Sequence, residues 1–586
     1  MRTLTKAACG LLVAALAAAA FAAPVTTVQE LVAALESITD SSQTIEIAAG
    51  DYDLTGVTMR SDASFGDSHL YLQNATLVGK GKTADDVRLI GNGLRVLWAY
   101  SPAKVRNLTI TNGCAAAISG QSNSGRGGGV FGSCTVSNCV ISGCSASSGG
   151  ATRNYTVLRD CRIVGNSAGT GGGVYEATCH GCTIALNRST GHGGGAYGAT
   201  SLYNCQVVSN TAASMGGGAC AITLASNCWF VANTAGAQGG AAASWNAGGM
   251  KLVDCTITNN YAGNNGGGVY LATVTGGAIA GNYSAANGGG AAGTGTVLSG
   301  VDVHDNYAAS NGGGMVDGSD AVRCTFRNNL CGPDKNGPNV SGTQSLRFCD
   351  ISGTTCFQVS ATGCRFHDIG PAVSLAGNPH KDATFTPTYV LNNFVNCTNC
   401  LFYGNKAGKS DAAIFGGNTG GSRKSNLVNC TVVSNSYPYV FKYFKLAAAK
   451  IEVVNCVFWG NTAYDGVTSR DISMGDMATS DGVRFSHCAY GVSNVSGLGD
   501  YVDEALYQFG ANGFGANPRF VMDADAVNPY ALKTSSPLVG RGQVLAWMSS
   551  ATDIRGDGFA RLRDGKVDIG CYQCWLPRPG FVLFYR

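Results

Sequence analysis

The sequence has little charge and little proline. Asp, Glu, Lys and Arg make up 13% of its 586 residues, roughly half of the usual share, and there are 13 prolines. The net charge of +3 is small for this length, and no basic stretch alternates with aromatic residues, so nucleic acid is not an expected partner. Because 45% of the residues are apolar, the low charge also argues against a disordered chain.

Long apolar runs are absent after the first residues of the chain. Residues 1–22 combine a charged start, an Ala- and Leu-rich stretch and a small-x-small site at Ala20-Phe21-Ala22, a pattern typical of an export signal peptide. No later stretch approaches the roughly 20 consecutive apolar residues that a membrane-spanning helix needs. We therefore expect a protein without a transmembrane helix that is secreted or held at the cell surface, where outer-membrane association is one form of attachment.

Glycine is abundant, and its positions are periodic. Pairs or triplets of glycine followed by a small apolar residue recur every 21 to 28 residues, ending at Gly129, Gly150, Gly173, Gly195, Gly218, Gly240, Gly268, Gly290 and Gly314. A single triplet is compatible with a phosphate-binding loop. Repetition in step with a strand pattern favours a sharp corner of a repeated structural unit instead.

A cysteine column runs in step with the glycines. Cys161-Arg162-Ile163 illustrates its alternation of inward, outward and inward residues, which is typical of a strand. The column consists of Cys139, Cys161, Cys182, Cys205, Cys228, Cys255, Cys324, Cys349, Cys364, Cys400, Cys430, Cys456 and Cys488. Five residues after most of them stands an asparagine, for which we predict a left-handed turn conformation and hydrogen bonds between stacked copies.

Most column cysteines are predicted to be free, buried thiols that act as small hydrophobic residues. Cys-x-x-Cys occurs at 179–182 and at 397–400, where a metal or redox site is the alternative. Both motifs end on a column position, which favours the structural interpretation. Cys571 and Cys574 lie outside the column and are the better candidates for a disulfide.

The chain repeats strands, asparagine turns and glycine corners, with no helical segments between them. This pattern predicts an all-β fold, namely a right-handed parallel β-helix solenoid with an N-terminal helical cap. Its handedness follows from the bias of parallel crossover connections. Thr27 and Glu30 fit a capping box before apolar residues at helical spacing, so a capping helix is predicted within residues 23–40. Coils of about 22 residues are expected over 41–500, a compact closure over 501–575 and a tail over 576–586.

Three resemblances add to this prediction. The GGG(V/A) and FxxN repeats, such as FVAN (230–233) and FYGN (402–405), resemble those of chlamydial polymorphic outer-membrane proteins over roughly residues 125–465, which implies a surface adhesin. Segments 517–542 and 553–573 resemble the choice-of-anchor Q region that closes many secreted bacterial β-helix proteins. The shape is similar to pectate-lyase-like β-helices, a likeness of fold that implies no function.

Two function classes follow. The first is a non-enzymatic surface protein for adhesion or glycan binding, whose partner is an extracellular glycan or the surface of a host or neighbouring cell. The alternative is a polysaccharide lyase or glycoside hydrolase that acts on an extracellular polysaccharide. No cofactor or metal is expected, except calcium if the protein is a polysaccharide lyase.

The candidate site is the place where charge concentrates. Three residues after each column position the side chain is predicted to point outward. In the early coils these residues are small and uncharged, for example Val164 and Ala185. From Val301 onward, polar residues gather on about four coils, within about 15–20 Å: Asp302, His304, Asp305, Arg327, Asp350, Arg365, His367 and Asp368. Such a set suits sugar binding, or a base and an arginine in catalysis. A solvated face with balanced Asp–Arg pairs is the alternative.

Overall fold

The computed structural model describes residues 23–574, except 120–123, 319, 334, 343–344, 371–372, 375–383, 418–423, 443–450, 476–481, 497 and 522–527. The predicted signal peptide (1–22) and tail (576–586) therefore lie outside the described residues.

The α-helix Val28–Glu36 precedes the first coil. The backbone N–H of Glu30 donates to Thr27 Oγ1 (3.2 Å), and the backbone N–H of Thr27 donates to the Glu30 carboxylate (3.2 Å). These two bonds are the predicted capping box. Leu31 and Leu35 are buried in the same core cluster as the coils, so the predicted N-terminal helical cap is confirmed.

Successive coils stack through parallel strands in strict register. Ile163 pairs with Ile184, which pairs with Val207, and this pattern continues along the chain. Ile163, Ile184 and Val207 are completely buried, so they form one inward column along the stack. The chain is therefore a parallel β-helix with its apolar core inside the coils.

Most coils contribute two short strands to the first sheet. In two coils these strands are continuous and form the single strands Thr152–Arg159 and Val174–His180. Its strands after the glycine corners are Ser68–Gln73, Arg95–Tyr100, Val130–Phe131, Ala196–Tyr197, Ala219–Cys220, Ala242–Ala243, Val269–Tyr270, Ala291–Ala292, Met315–Val316, Val340–Ser341, Cys356–Phe357, Tyr389–Asn392, Ala413–Gly416, Tyr439–Lys442 and Met474–Gly475. The strands before the cysteine column are Thr44–Ile47, Thr76–Gly79, Lys104–Arg106, Thr135–Ser137, Ser201–Tyr203, Leu224–Ser226, Lys251–Val253, Thr273–Thr275, Val297–Ser299, Asp320–Val322, Ser345–Arg347, Ser360–Thr362, Asn396–Thr398, Ser425–Val428, Ile451–Val454 and Val483–Ser486.

The second sheet follows the cysteine column and carries the candidate site. Its strands are Gly50–Asp53, Val87–Ile90, Thr109–Thr111, Val140–Ser142, Arg162–Val164, Thr183–Ala185, Gln206–Val208, Trp229–Val231, Thr256–Thr258, Ala278–Ala280, Asp302–His304, Thr325–Arg327, Asp350–Gly353, Arg365–Ile369, Leu401–Tyr403, Thr431–Val433, Val457–Trp459, Cys488–Tyr490 and Leu506–Gln508.

The third sheet joins the asparagine turns to the glycine corners in the early and middle coils. Its strands are Cys114–Ala115, Ser145–Ser148, Ser167–Thr170, Arg188–Ser189, Thr211–Ala212, Thr234–Ala235, Tyr261–Ala262, Tyr283–Ser284, Tyr307–Ala308 and Leu330–Cys331. Outside the three sheets, Val373–Ser374 and Thr384–Phe385 form an antiparallel pair, and the 3-10 helices are Ala84–Asp86, Leu498–Tyr501 and Ala546–Ser550.

The asparagines after the cysteine column form a buried amide ladder. Asn233 Nδ2 donates to Val207 O (2.8 Å) and to Asn260 Oδ1 (3.0 Å), while Asn233 Oδ1 accepts from the backbone N–H of Asn210 (3.0 Å). The predicted hydrogen bonds are present. The predicted left-handed asparagine is wrong, because the left-handed residue lies one position earlier, as at Ala232 (φ 55°), and this turn aims the following amide into the core.

The glycine triplets are corners, as predicted. Gly171 has φ 62°, in the left-handed region that favours glycine. A Cβ added to Gly172 would lie 2.4 Å from the backbone oxygen of Arg188 in the next coil. Conformation and close packing of neighbouring coils therefore both require glycine.

The 23 cysteines of the described residues are all free, and all except Cys114 are buried. Burial raises the pKa of Cys139 to about 12, which keeps this thiol protonated and unreactive. Cys571 and Cys574 form no disulfide, so that prediction is wrong. Their backbone N–H groups bond to different partners, Thr431 and Asp568, which hold the two residues in separate contacts.

The C-terminal segment, described over 509–521 and 528–574, lies against the outside of the second sheet. Its Leu538, Ile554 and Ile569 are buried in a second core cluster with sheet residues that include Leu401 and Val457. The segment is held by turns and isolated bridges rather than by extended strands. The outer face of the second sheet is thus covered from the Leu401 strand onward.

Candidate functional site

Two outward rows of side chains cross four consecutive strands of the second sheet, just before the covered part begins. The first row consists of Asp302, Thr325, Asp350 and Arg365. The second row consists of His304, Arg327, Ser352 and His367. Asp305 and Asp368 follow their strands in left-handed turn positions, with φ 54° and 50°. The register brings these side chains onto one face within about 15 Å along the axis.

The first carboxylate–histidine group consists of Asp302, His304, Asp305 and Arg327. His304 Nδ1 donates to Asp305 Oδ2 (2.7 Å), and its Nε2 lies 3.7 Å from Asp302 Oδ2. Arg327 Nη2 donates to the same Asp302 oxygen (2.8 Å). Asp302 therefore joins the histidine to the arginine, while its other oxygen, Oδ1, is buried without a hydrogen-bond partner among the described residues.

The second carboxylate–histidine group consists of Asp350, His367 and Asp368. His367 Nδ1 donates to Asp368 Oδ2 (2.7 Å), and His367 Nε2 donates to Asp350 Oδ1. Burial by itself lowers the pKa of His367, but the hydrogen bonds and charges of Asp350 and Asp368 outweigh it and raise that pKa above its usual value. The arrangement therefore favours a positively charged ring between two carboxylates.

Aromatic side chains continue the second row toward the C-terminal segment. The His367 ring stacks on Tyr403, with centroids 5.0 Å apart and planes at 16°. Tyr403 in turn contacts Tyr530 of the C-terminal segment at 5.7 Å. Burial and the charge of Asp350 raise the pKa of Tyr403, so its hydroxyl stays protonated at neutral pH.

A cleft of about 460 Å³ opens beside the first row, between the coils and the C-terminal segment. We call it the first cleft; its lining residues are Arg323, Phe348, Cys349, Asp350, Gly363, Arg365, Asn528, Ile554, Arg555, Gly556 and Phe559. Arg323 donates to Asp557 (3.0 Å), and Arg555 donates to the buried Asp553 (2.9 Å). Because two of its arginines are paired with carboxylates, the first cleft carries little excess charge.

The eight predicted site residues are thus distributed over three places. Four form the first carboxylate–histidine group and three form the second. Arg365, the eighth, lines the first cleft together with Asp350. Among the described residues, no hydrogen bond or ion pair joins the first group directly to the second. Ligand binding by these residues stays a prediction.

The prediction from sequence missed the residues that enclose the first cleft. Arg323 and Phe348 stand immediately before column cysteines, in a left-handed position (φ 52° and 54°) that holds Asn or Asp in many coils. That departure from the pattern is a signal that the sequence contains. Arg555 and Phe559 come from the C-terminal segment, and no periodicity relates them to the coils.

Comparison with known families agrees with this architecture. The sequence profile of the family described as "Right handed beta helix region" matches residues 92–257. Together with the parallel register of the sheets, it defines the fold as a right-handed parallel β-helix, as predicted. A comparison with curated protein sequences finds no match.

Several solved structures match over most of the chain. The A-module of the mannuronan C-5 epimerase AlgE6 of Azotobacter vinelandii is 12% identical, with 80% of this chain and 94% of that chain covered and a TM-score of 0.24. The pectate lyase Pel9A is 11% identical, covers 92% and 90%, and has a TM-score of 0.23. A mannuronic acid-specific polysaccharide family 6 lyase from human gut microbiota is 11% identical, covers 82% and 91%, and has a TM-score of 0.24. These matches assign no activity to this protein.

No helix among the described residues has the length and apolar character needed to cross a membrane. In the same part of the chain, no group of three or more His, Cys, Asp or Glu side chains is arranged to hold a metal ion.

Proposed function

We propose that this protein is an exported cell-surface β-helix protein that binds an extracellular carbohydrate chain through its two carboxylate–histidine groups. The observation that carries the proposal is the concentration of these groups on the uncovered part of the second sheet. The side chains of Asp302 and Arg327 are 40% and 38% exposed, and that of Asp368 is 72% exposed. They are thus held in place by one another and still reach solvent.

The chemistry of the groups suits a sugar chain. Carboxylates accept hydrogen bonds from sugar hydroxyls, while arginine and protonated histidine donate to sugar oxygens. The strand spacing of roughly 4.8 Å repeats these polar side chains along the axis, so an extended chain can contact several coils in turn. The neighbouring ring of Tyr403 adds an apolar surface of the kind that carbohydrate sites combine with few polar groups.

Glycoside hydrolysis is the second candidate function, because Asp302 and Asp350 stand two strands apart in the first row. Their Cα atoms are therefore roughly 10 Å apart. Two carboxyl groups about 6.5–9.5 Å apart are typical of inverting glycosidases, in which one is the acid and the other activates water. A lyase mechanism with His367 as base is less well supported, because Asp350 and Asp368 favour its protonated form.

The binding proposal is tested with a panel of acidic and neutral polysaccharides. The triple variant H304A/R327A/H367A is expected to lose binding at least about tenfold, since each removed group contributes about 1 kcal/mol or more. The control R162A/Q206A removes two exposed residues from the same sheet in the early coils and should bind as the wild type does. Unchanged binding by a folded triple variant would rule the site out.

The hydrolase candidate is tested by assaying the wild type, D302N and D350N for new reducing ends on the same panel. Release by the wild type and its loss in both variants would support hydrolysis. Unsaturated ends would indicate a lyase instead. A wild type that releases neither kind of end leaves binding without catalysis.

The cellular location follows from the predicted signal peptide at 1–22. We expect the protein at the cell surface or in the medium, where its repeats would serve adhesion. Cell fractionation followed by immunodetection checks this expectation. Full-length protein confined to the cytoplasm would contradict it.

A further inference from the structure

A second cleft, of about 560 Å³, opens farther along the second sheet. The sheet contributes Val433, Ser434, Trp459 and Gly460 to its lining. The C-terminal segment contributes Asn517, Pro518, Arg519, Phe520, Tyr530, Lys533 and Ser535. The cleft therefore forms where the C-terminal segment lies across the coils.

The charged side chains among the described lining residues of this second cleft are of one sign. Arg519 and Lys533 are both exposed, and no Asp or Glu is among the described lining residues. Arg519 Nη1 donates to the backbone oxygen of Ser535 (2.9 Å), which fixes the guanidinium at the wall without neutralising it. In the first cleft, by contrast, Arg323 and Arg555 each have a carboxylate partner.

Aromatic rings line the same space. Trp459 is half-buried and held edge-on against Phe509 at 4.9 Å and 75°. Tyr530 packs against Phe520 at 5.6 Å and 87°. Since their neighbours hold Trp459 and Tyr530 in place, an apolar face of a sugar ring can pack on them at little cost in side-chain entropy.

The second cleft continues the row that begins at the candidate site. His367 pairs with Tyr403, then Val433, then Trp459 on successive strands of the second sheet. Three strand intervals span roughly 14 Å. Val433 is buried under the C-terminal segment, so a chain on the carboxylate–histidine groups reaches the cleft by passing over Tyr530, which contacts Tyr403 and also lines the cleft.

We propose that the second cleft binds a carboxylate-bearing sugar of the bound chain, with Arg519 and Lys533 facing the acid group and Trp459 facing the ring. This inference rests on the proposed carbohydrate function and specifies its ligand as an acidic polysaccharide. A neutral chain would leave the two cations without a partner, whereas a uronate would supply charge-assisted hydrogen bonds.

The test measures binding of polygalacturonate, alginate and chondroitin sulfate. Methyl-esterified polygalacturonate serves as the uncharged counterpart of polygalacturonate. We expect the wild type to bind at least one acidic chain at least about tenfold more tightly than the ester, and added salt to reduce this preference. R519A/K533A should lose the preference and keep its binding to the ester. The control R188A/K251A removes two exposed cations from early coils, lowers the net charge equally and should retain the preference.

A fluorescence readout locates the chain. Binding of an acidic chain should change the tryptophan emission of the wild type, and W459F should lack most of this change. The inference is overturned if R519A/K533A keeps the preference, if the wild type binds ester and acid equally, or if W459F responds fully. If the wild type binds no polysaccharide at all, the proposed function fails together with the inference; equal binding of ester and acid overturns the inference alone.

Discussion

The early coils, up to about residue 300, and the later coils, from Val301 to Gln508, share one core but differ on the outside. Column cysteines are 21 to 27 residues apart in the early coils and 15 to 36 apart in the later coils. In the early coils the outward positions of the second sheet hold small, uncharged residues that are partly exposed, as at Ala185 and Val208. In the later coils polar groups come first, and then Leu401 and Val457 are completely buried by the C-terminal segment.

This difference shows how a repeated fold acquires an individual site. Each early coil is determined by its contacts with the coils before and after it, as in other solenoids. The later coils add two departures from the repeat, polar residues on the outer face and a segment that packs on this face. The first cleft lies where the two departures meet, at the boundary between the open and the covered part of the second sheet, and the second cleft lies farther along, where the segment covers the sheet.

The largest effect is expected from breaking the amide ladder in the early coils. N233A removes the bonds that the Asn233 amide donates to Val207 O and Asn260 Oδ1, and it leaves the buried Asn210 N–H without its acceptor. Asn260 Oδ1 keeps the bond from the backbone N–H of residue 233, so Val207 O and the Asn210 N–H are the groups that lose their side-chain partner. Each buried unsatisfied group costs about 1–3 kcal/mol, so a loss of about 4 kcal/mol in the free energy of unfolding is expected. Urea unfolding followed by circular dichroism measures it. N227G, at an exposed left-handed asparagine, is the control and should cost less than about 1 kcal/mol.

A smaller and local effect is expected in the C-terminal segment. Asp553 is completely buried and accepts hydrogen bonds from Arg555 Nε (2.9 Å) and the Gln573 N–H (3.0 Å). D553A leaves Arg555 without its ion-pair partner, so docking of the segment should weaken by about 3 kcal/mol. Limited proteolysis should then cut the segment about 100-fold faster while the early coils remain intact.

The matched control for D553A is D557A, which removes a carboxylate that is 90% exposed and paired with Arg323. Exposed pairs contribute little, so its cleavage rate should change less than about fivefold. Cleavage that spreads into the early coils in D553A would show that the segment stabilises the whole stack, and that the early coils are not determined by contacts with adjacent coils alone.

The smallest effect concerns the charge of His367. Its pKa is raised in the folded protein from a usual value of 6.5, so its stabilising contribution is fully present below pH 6.5 and is lost as pH rises through the raised value. H367A should therefore cost more stability at pH 5.5 than at pH 9, by less than about 1 kcal/mol because its carboxylate partners are partly exposed. Unfolding at the two pH values measures the difference.

A double-mutant comparison isolates the cause of this pH dependence. In a D350N/D368N background the amide side chains carry no charge and burial alone lowers the pKa of His367, so H367A should no longer cost more stability at pH 5.5 than at pH 9. A greater cost at pH 5.5 that survives in this background would assign it to groups other than Asp350 and Asp368.

Much of the fold could be predicted because the same residue pattern recurs in many coils. Strand alternation around Cys161 and Ile163 predicts the inward column, and both residues are buried. The spacing predicts the left-handed position at the asparagine, one residue too late, because an amide in the core and a turn one residue earlier give the same spacing. Only the backbone angles distinguish the two, as at Asn233 and Ala232.

The candidate site was predictable in part for the same reason. A period of about 22 residues relates His304 to Arg327, so their alignment follows from counting residues. No period relates His367 to Tyr530 or Asp350 to Arg555, which are distant in sequence. Their proximity comes from packing of the C-terminal segment on the sheet, which a pattern of neighbouring residues does not contain.

The sequence by itself determined the parallel coils, the glycine corners, the cysteine column and the polar face at Asp302 to Asp368, because each depends on contacts between equivalent residues of adjacent coils. Only the tertiary structure decided which part of this face is covered and where the two clefts open. Those features arise when Leu538, Ile554 and Ile569 bury the outward apolar residues of the later coils. Burial of apolar surface is non-directional, so the sequence pattern alone does not specify where the segment docks.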